Sequence, residues 1–252
     1  MKISIKSRVK KVEELSSGIF IMTMNFPEKP LPGQFVMIGF DDTADGPYLP
    51  RPISVYDWKE GVLFLLVKEV GRGTLMMKNS EGKTLRVTGP LGSSFPDVSG
   101  CLLCVGGGIG IAPLHYALKE SSAEKRSSVL GFTCADSVFC VDDFEKNSSV
   151  MITTDDGSRA FKGNPAVLCE DMFLSGADDI MPDAVFCCGP EIMMKKINSV
   201  FEGKVPVWHS LEARMACGTG VCLGCRRKIG NESVLVCSDG PVFSGEKIFR
   251  EV

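Results

Sequence analysis

The sequence CLLCVGGGIGIAPLHYALK, residues 101–119, decides the fold of the second half of the chain. A short apolar run leads directly into a glycine-rich turn, and a helical segment with proline near its start follows. The glycines leave room for a phosphate group to approach the main chain where this helix begins. This order of elements is typical of a parallel α/β sheet that binds a dinucleotide, although the glycines do not follow the G-x-G-x-x-G spacing.

Further continuous apolar runs lie downstream of this stretch: SVLGF at 128–132, VMIT at 150–153 and AVFCC at 184–188. Continuous apolar runs are typical of strands that are buried on both faces of a sheet. We expect helices between them and a last strand near the end of the domain. The pattern predicts a doubly wound parallel α/β domain over residues 100–211, with helices at 112–119, 165–174 and 190–201 and a final strand at 205–210.

The first part of the chain has a different pattern, in which short apolar or alternating runs are separated by turn-forming groups such as PEKPLPG and DDTADGP. Such spacing is typical of an antiparallel barrel, interrupted here by one short helix at 74–78. The Gly-, Pro- and Ser-rich stretch GPLGSSFPDVSG, residues 89–100, reads as a domain boundary. We therefore predict an antiparallel β-barrel over residues 1–92.

The composition excludes several classes of protein. The 28 Lys and Arg residues against 31 Asp and Glu residues leave a net charge of -3, which gives no electrostatic basis for nucleic-acid binding. No run approaches the roughly 18 to 20 apolar residues that a membrane-spanning helix needs. The beginning of the sequence does not resemble a secretion signal, so the 11 cysteines are expected to be reduced thiols in the cytoplasm.

Four of these cysteines have a spacing that is specific to metal chemistry. Cys217, Cys222 and Cys225 follow C-x-x-x-x-C-x-x-C, which matches the opening of the plant-type [2Fe-2S] pattern, and Cys237 follows after eleven intervening residues. Intervening glycines let the main chain wrap closely around inorganic sulfide. A structural zinc site and incidental buried thiols are the alternatives. This segment has too few apolar residues to form a stable core without a cross-link such as a bound metal cluster. We therefore predict a compact cluster module over residues 212–252.

Two segments of the barrel have residue types that suit a flavin. Arg51 can pair with a phosphate and Ser54 can point at the edge of an isoalloxazine ring. Downstream, the strand that ends at Lys68 is followed by Gly73 and Thr74, which offer N–H groups and a hydroxyl to a pyrophosphate. Ordinary barrel turns are the alternative for both segments.

Taken in order, the motifs RPIS, GRGT, GGGIGIAP, CCGP, LEARMACGTGVCLGC and VCSDGPVF resemble the electron-transfer subunits of the NAD-dependent, type B dihydroorotate dehydrogenases. The resemblance covers nearly the whole chain. The first four motifs are shared widely in the ferredoxin-reductase superfamily. The last two are what point to this one family within it. The resemblance implies that electrons pass from the FMN of a separate catalytic subunit through [2Fe-2S] and FAD to NAD+, in pyrimidine biosynthesis. The two kinds of subunit are expected to form a heterotetramer. Binding to nucleic acid or to a membrane is not expected.

The resemblance also implies a role for individual residues. Cys217, Cys222, Cys225 and Cys237 would hold the cluster, and Cys188 would be the catalytic residue beside the nicotinamide. The residues that would bind FAD are Arg51, Pro52, Ile53, Ser54, Leu66, Val67, Lys68, Gly73 and Thr74, and those that would bind the nicotinamide dinucleotide are Gly106, Gly107, Gly108, Gly110 and Gly189.

Two other readings use the same motifs. An electron-bifurcating or hydrogenase-linked NAD(P)H:ferredoxin reductase subunit would have the same flavin and dinucleotide layout, although relatives of that kind can replace the first cluster cysteine by aspartate, whereas Cys217 is present here. A carrier or assembly module would keep the fold without catalysis.

Overall fold

The computed structural model describes residues 2–40, 47–174, 181–229 and 232–249. The chain forms two compact units. The first consists of the described residues within 1–94, 211–228 and 232–241, and the second of those within 95–210 and 242–252, together with residue 229. The three-part division expected from the sequence stays a prediction, since the segment after residue 211 is shared between these two units.

The first unit is built on one antiparallel sheet of seven strands in the order β4-β3-β7-β1-β2-β6-β5. Strand β4 also contacts β6, so the two ends of the sheet approach each other as in a barrel. More buried and exposed positions alternate along the first half of β1, as the period of two predicts, whereas all five residues of β3 are buried. The elements are β1 (Ile3–Ser16), β2 (Ile19–Asn25), β3 (Phe35–Gly39), β4 (Arg51–Ser54), β5 (Asp57–Lys59), β6 (Val62–Lys68), α1 (Arg72–Lys78) and β7 (Thr84–Leu91).

The second unit is built on a seven-stranded sheet in the order β11-β10-β9-β8-β12-β13-β16, parallel except for the last pair. The strands are β8 (Cys101–Gly107), β9 (Lys125–Phe132), β10 (Ser149–Thr154), β11 (Phe161–Lys162), β12 (Ala184–Cys188), β13 (Val207–Ser210) and β16 (Val242–Ser244). The helices are α2 (Ala112–Glu120), α3 (Val141–Glu145), α4 (Pro165–Leu174), α5 (Glu191–Phe201) and α6 (Gly245–Ile248).

The order of the strands places a switch point at the centre of this second sheet. From β8 the chain proceeds to β9 on one side, whereas from the adjacent β12 it proceeds to β13 on the other side. Ligands of open α/β sheets bind outside the carboxyl ends of the strands at such a point. The predicted helices at 112–119, 165–174 and 190–201 are present within a residue of the expected bounds, and the final strand is shorter than predicted at its start.

The cysteine-rich segment contains a short hairpin, β14 (Arg226–Ile229) and β15 (Glu232–Leu235). Val234 and Val236 are buried together with Cys225 and Cys237, and they form its small apolar interior. Among the described residues, no helix is both long and apolar enough to cross a membrane.

A buried histidine on β13 packs against the last helical segments of the second unit. His209 on β13 has no exposed surface, and its ring packs edge-on against Phe249 at 4.9 Å between centroids. Its Nε2 lies 3.4 Å from Oδ1 of Asn198, while its Nδ1 has no hydrogen-bond partner in the described structure. Burial lowers the pKa of His209 to about 3 from the usual 6.5, so the ring is neutral in the folded chain.

The low pKa of His209 predicts a loss of stability in acid. Between pH 6.5 and about 3 the unfolded chain binds a proton that the folded chain does not, so the free energy of unfolding falls as the pH falls through this window. With phenylalanine at position 209, the unfolded chain no longer takes up this proton. The free energy of unfolding should then change less steeply with pH, by up to about 1.4 kcal/mol per pH unit. Urea unfolding of both proteins across the window measures the difference. Parallel curves for the variant and the parent would contradict this assignment.

Candidate functional site

The four predicted cluster ligands belong to the cysteine-rich segment of the first unit. Each of their sulfur atoms accepts a hydrogen bond from a backbone N–H group, as expected where a loop is arranged to stabilise negative sulfur. The donors are Thr219 N (3.3 Å) and Cys222 N (3.5 Å) to Cys217 Sγ, Gly224 N to Cys222 Sγ (3.5 Å), Cys237 N to Cys225 Sγ (3.4 Å) and Gly220 N to Cys237 Sγ (3.1 Å).

The structure brings two of the four sulfur atoms into direct contact. Cys225 Sγ lies 3.1 Å from Cys237 Sγ, and both side chains are buried. Cys222 is exposed, and Cys217 is partly buried and linked to Cys222 through the N–H···S bond. Within the described ranges no three metal-binding side chains are gathered around one point. The thiols therefore include one close pair, an arrangement that suits a cluster whose two irons each take two thiolates.

The acidity of these thiols differs with their surroundings. Desolvation raises the pKa of Cys217, but N–H groups of Cys222 and Thr219 outweigh it and lower the pKa to about 6. Burial, and then the neighbouring Cys225, raise the pKa of Cys237 to about 12. Cys217 therefore offers a thiolate near neutral pH, while the Cys225–Cys237 pair retains a proton that a metal ion would displace.

Three cysteines outside this segment have different surroundings. Cys104, Cys169 and Cys187 are buried in the second unit, and burial raises the pKa of each thiol well above its usual value. They behave as small apolar side chains.

The predicted phosphate-binding arginine lies against α1. The guanidinium group of Arg51 occupies the space that a β-carbon on Gly73 would take, with Cζ 2.9 Å from that position. Its Nη1 donates to the carbonyl oxygen of Leu49 at 2.6 Å. Arg51 and the first turn of α1 are thus in close contact, and a side chain at position 73 would displace the guanidinium group.

Thr74 shapes the turn before α1 from within. Its hydroxyl accepts hydrogen bonds from Val70 N (2.9 Å) and Gly71 N (3.2 Å) and lies 2.9 Å from the Gly71 carbonyl oxygen. The side chain is buried. Thr74 therefore holds the GRGT loop in shape, and its predicted contact with FAD stays a prediction.

The two strands predicted to hold the flavin ring present mainly backbone. Pro52, Ile53 and Ser54 are half-buried on β4, which lies at one end of the strand order. On β6, pairing with β5 stops at Phe64, so in the described structure the residues beyond it have a strand neighbour on one side only. Leu66 and Val67 are buried and Lys68 is exposed. The first two can offer only main-chain groups to a ligand at this edge.

The predicted dinucleotide site lies at the switch point of the second sheet. A β-carbon on Gly110 would lie 2.5 Å from the carbonyl oxygen of Cys188 and 2.8 Å from Cα of Gly189. A β-carbon on Gly107 would lie 2.8 Å from Cδ of Pro190. The GGGIG loop and the CCGP turn are thus in main-chain contact at the carboxyl ends of β8 and β12.

Other residues of this loop occupy different positions. Gly106 is buried at the end of β8 against Ile111 and Leu114, and Gly108, at a φ of +54°, has open space around it. Cys188 as a whole residue is only 2% exposed, so the thiol of the predicted catalytic residue is buried.

Sequence reasoning missed the segment that anchors the cysteine module. Residues 89–100 read as a linker, yet Ser93 N donates to the carbonyl oxygen of Gly240 at 2.6 Å, and Pro241 occupies the space beside Gly92. Gln34 Nε2 donates to the Gly92 carbonyl oxygen at 2.8 Å. No local signal indicates this contact, because its partners lie more than a hundred residues apart in the sequence.

Comparison with known proteins agrees with this geometry. A family model described as the iron-sulfur cluster binding domain of dihydroorotate dehydrogenase B matches residues 212–249. The dihydroorotate dehydrogenase B (NAD(+)) electron transfer subunit of Caldanaerobacter subterraneus subsp. tengcongensis is 38% identical over 256 residues, which cover 98% of this chain and 99% of that protein. The chain belongs to this family of electron transfer subunits. The electron transfer subunit of Geobacillus thermodenitrificans is 37% identical over 244 residues, 92% of this chain and 90% of its own.

A solved structure extends the comparison beyond the electron transfer subunits. An NADH-dependent reduced ferredoxin-NADP oxidoreductase studied for flavin-based electron bifurcation superposes with a TM-score of 0.82 at 33% identity, over 96% of this chain and 89% of that one. The predicted family is confirmed, as is the predicted fold class of an antiparallel barrel sheet, a parallel α/β sheet and a C-terminal iron-sulfur segment.

Replacing Cys222 by serine tests the cluster assignment. We expect the visible absorbance of the cluster to be lost or strongly changed while flavin stays bound, because Cys222 is exposed and the contacts that join its segment to the barrel lie elsewhere. Iron and flavin analysis of anaerobically purified protein measures both. Cys101→Ser, a half-exposed thiol outside the segment, is the control. Loss of iron in the control, or of flavin in Cys222→Ser, would contradict the assignment.

Replacing Gly110 by alanine tests the dinucleotide surface. The new β-carbon would force the glycine loop away from the Cys188 carbonyl group, and a displacement of this order is expected to reduce NADH-dependent dye reduction by about tenfold to a hundredfold. Flavin and iron contents should not change, because both are assigned to the other unit. Ser199→Thr, at an exposed position on α5 in the same unit, controls for the added methyl group. Equal activity in the parent and in Gly110→Ala would contradict this location.

Proposed function

We propose that this chain passes electrons between FAD in the first unit, a [2Fe-2S] cluster on Cys217, Cys222, Cys225 and Cys237, and NAD+ in the second unit. It does so as the electron transfer subunit of an NAD-dependent dihydroorotate dehydrogenase, in pyrimidine biosynthesis. The observation that carries the proposal is the cysteine segment, in which each of the four sulfur atoms accepts a backbone N–H group. The segment lies within the matched iron-sulfur domain at 212–249.

The FAD site is proposed on β4, β6 and the turn before α1. Arg51 supplies a positive charge beside Gly73, and Thr74 holds the adjoining loop by accepting the N–H groups of Val70 and Gly71. The edge of β6 supplies main-chain groups for a planar ring. The proposed FAD-binding residues are Arg51, Pro52, Ile53, Ser54, Leu66, Val67, Lys68, Gly73 and Thr74.

The NAD site is proposed at the switch point of the second sheet. A glycine surface lets a dinucleotide approach the main chain at the start of the helical segment after β8. Cys188 is the proposed catalytic residue, and its burial supports a role in lining the nicotinamide pocket through its main chain. The proposed NAD-binding residues are Gly106, Gly107, Gly108, Gly110 and Gly189.

When bound, FAD exchanges a hydride with the nicotinamide and single electrons with the cluster, which is the chemistry of the cofactors themselves. The protein contributes position and electrostatics. N–H groups at the sulfur atoms stabilise negative charge on the cluster, and the charge of Arg51 stabilises the phosphates of the flavin.

An electron transfer subunit works with a separate catalytic subunit. We propose that this partner is the FMN-containing dihydroorotate dehydrogenase subunit, that the complex is a heterotetramer and that the partner docks on the cysteine loop. Two apolar side chains at the tip of this loop support the docking surface: Val221 is 82% exposed and Leu223 is 49% exposed, on either side of Cys222. Apolar side chains in this position are favoured where a protein partner covers them.

Reconstitution tests this function. The isolated chain should reduce a dye with NADH but should not reduce NAD+ with dihydroorotate, and both activities should appear when the catalytic subunit is added. Dihydroorotate turnover by the isolated chain would contradict the proposal.

Val221→Asp tests the docking surface in the same assay. Burying an unpaired carboxylate in an interface is costly, so binding of the partner should weaken by about tenfold or more while the cluster absorbance is kept. Ile192→Asp, an equally exposed apolar position at 85% in the second unit, is the matched control. Equal weakening by both variants would place the partner elsewhere.

The solved oxidoreductase at 33% identity favours one alternative, an NADH-dependent ferredoxin reductase subunit. Such a protein would reduce ferredoxin in place of accepting electrons from a dihydroorotate-oxidising partner. The reconstitution separates the two, because a chain with this second function would not gain dihydroorotate-dependent NAD+ reduction from the catalytic subunit.

A further inference from the structure

Strand β3 lies between the flavin segment and the cysteine module within the first unit. Along one edge it pairs with β4, with Phe35 opposite Ser54 and Met37 opposite Pro52. Adjacent strands lie about 4.8 Å apart, so the RPIS segment is one strand spacing from the side chains of β3.

The cysteine loop rests on this strand immediately after its first ligand. A β-carbon on Gly218 would lie 2.7 Å from Cγ and 3.0 Å from Sδ of Met37, and 3.0 Å from Cδ1 of Leu91 on β7. Gly218 has a φ of +70°, which favours glycine for a second reason. The main chain beside Cys217 therefore contacts the Met37 side chain with no side chain between them.

The other end of the module contacts the same two strands. Pro241, four residues after Cys237, occupies the space beside Gly92, just after β7, and the Phe35 ring lies 3.0 Å from the position of the same missing β-carbon. Phe35 and Met37 are two residues apart, so both side chains project from one face of β3. The segment that carries the four cysteines thus lies against β3 at Gly218, and at its other end it contacts the residues just after β7.

We propose that Met37 is a positioning residue that holds the cysteine loop at a set position against flavin strand β4. The inference rests on the proposed function, in which that loop carries the cluster and β4 carries FAD. Met37 is 2% exposed and contacts the loop at the glycine next to its first ligand, so a change in its volume acts directly on the position of Cys217. Its unbranched thioether side chain fills an irregular gap that a β-branched side chain would not.

Three variants test this role. Met37→Ala leaves a cavity beneath Gly218, Met37→Leu conserves the volume, and Met24→Ala makes a cavity of the same kind on β2, where the side chain is equally buried. In Met37→Ala the amide groups of Thr219, Gly220 and Cys222 should exchange hydrogen about tenfold faster, because the loop that directs them at sulfur has lost its support.

Two spectroscopic readouts accompany the exchange measurement. Release of iron to a chelator, followed by loss of visible absorbance, should be several-fold faster in Met37→Ala. The EPR lines of the dithionite-reduced cluster should broaden as the loop takes several positions. Met37→Leu should restore both, and Met24→Ala should match the parent.

Unchanged exchange, iron release and EPR lines in Met37→Ala would overturn the proposal, as would equal effects of Met24→Ala. None of these measurements uses dihydroorotate or a catalytic subunit. Failure of the reconstitution would therefore refute the proposed function separately, while failure here would leave the electron transfer assignment standing.

Discussion

At several glycines of this chain a neighbouring group occupies the space that a β-carbon would take, and two of these glycines lie in the proposed binding loops. At Gly110 the group is the Cys188 carbonyl, and at Gly218 it is the side chain of Met37. In each case the main chain of a binding loop approaches its support to a distance that only glycine permits. Both the dinucleotide surface and the cysteine loop depend on this constraint, because an added methyl group would separate the loop from the strand that positions it.

Electrostatics acts on the same main chain. Backbone N–H groups near the cysteine loop point at sulfur, and those bound by Cys217 lower the pKa of that thiol to about 6 despite the cost of desolvation. In the second unit, burial alone raises the pKa of the Cys104 and Cys169 thiols. Chemically identical side chains thus differ in function because their backbone surroundings differ.

The two sheets have separate proposed roles: the antiparallel sheet binds the flavin and the parallel sheet binds the dinucleotide. The antiparallel sheet offers the edges of β4 and β6, where main-chain groups are available to a planar ring. The parallel sheet offers a switch point between β8 and β12, where two glycine-containing turns meet. The proposed sites use different features of the two sheets: strand edges in the antiparallel sheet and a switch point in the parallel sheet.

Local sequence patterns were enough to predict the two sheets, the main helices of the second unit and the four cysteines of the iron-sulfur segment. Hydrophobic period and ligand spacing are properties of neighbouring residues, so they can be read without a structure. Only the tertiary structure revealed that Arg51 lies against Gly73 and that the thiol of Cys188 is buried. It also showed that the Thr74 hydroxyl forms hydrogen bonds with the main chain of its own turn. Only the tertiary structure likewise placed Met37 beneath Gly218, because residues about 180 positions apart in sequence meet through the packing of strands, for which no local pattern exists.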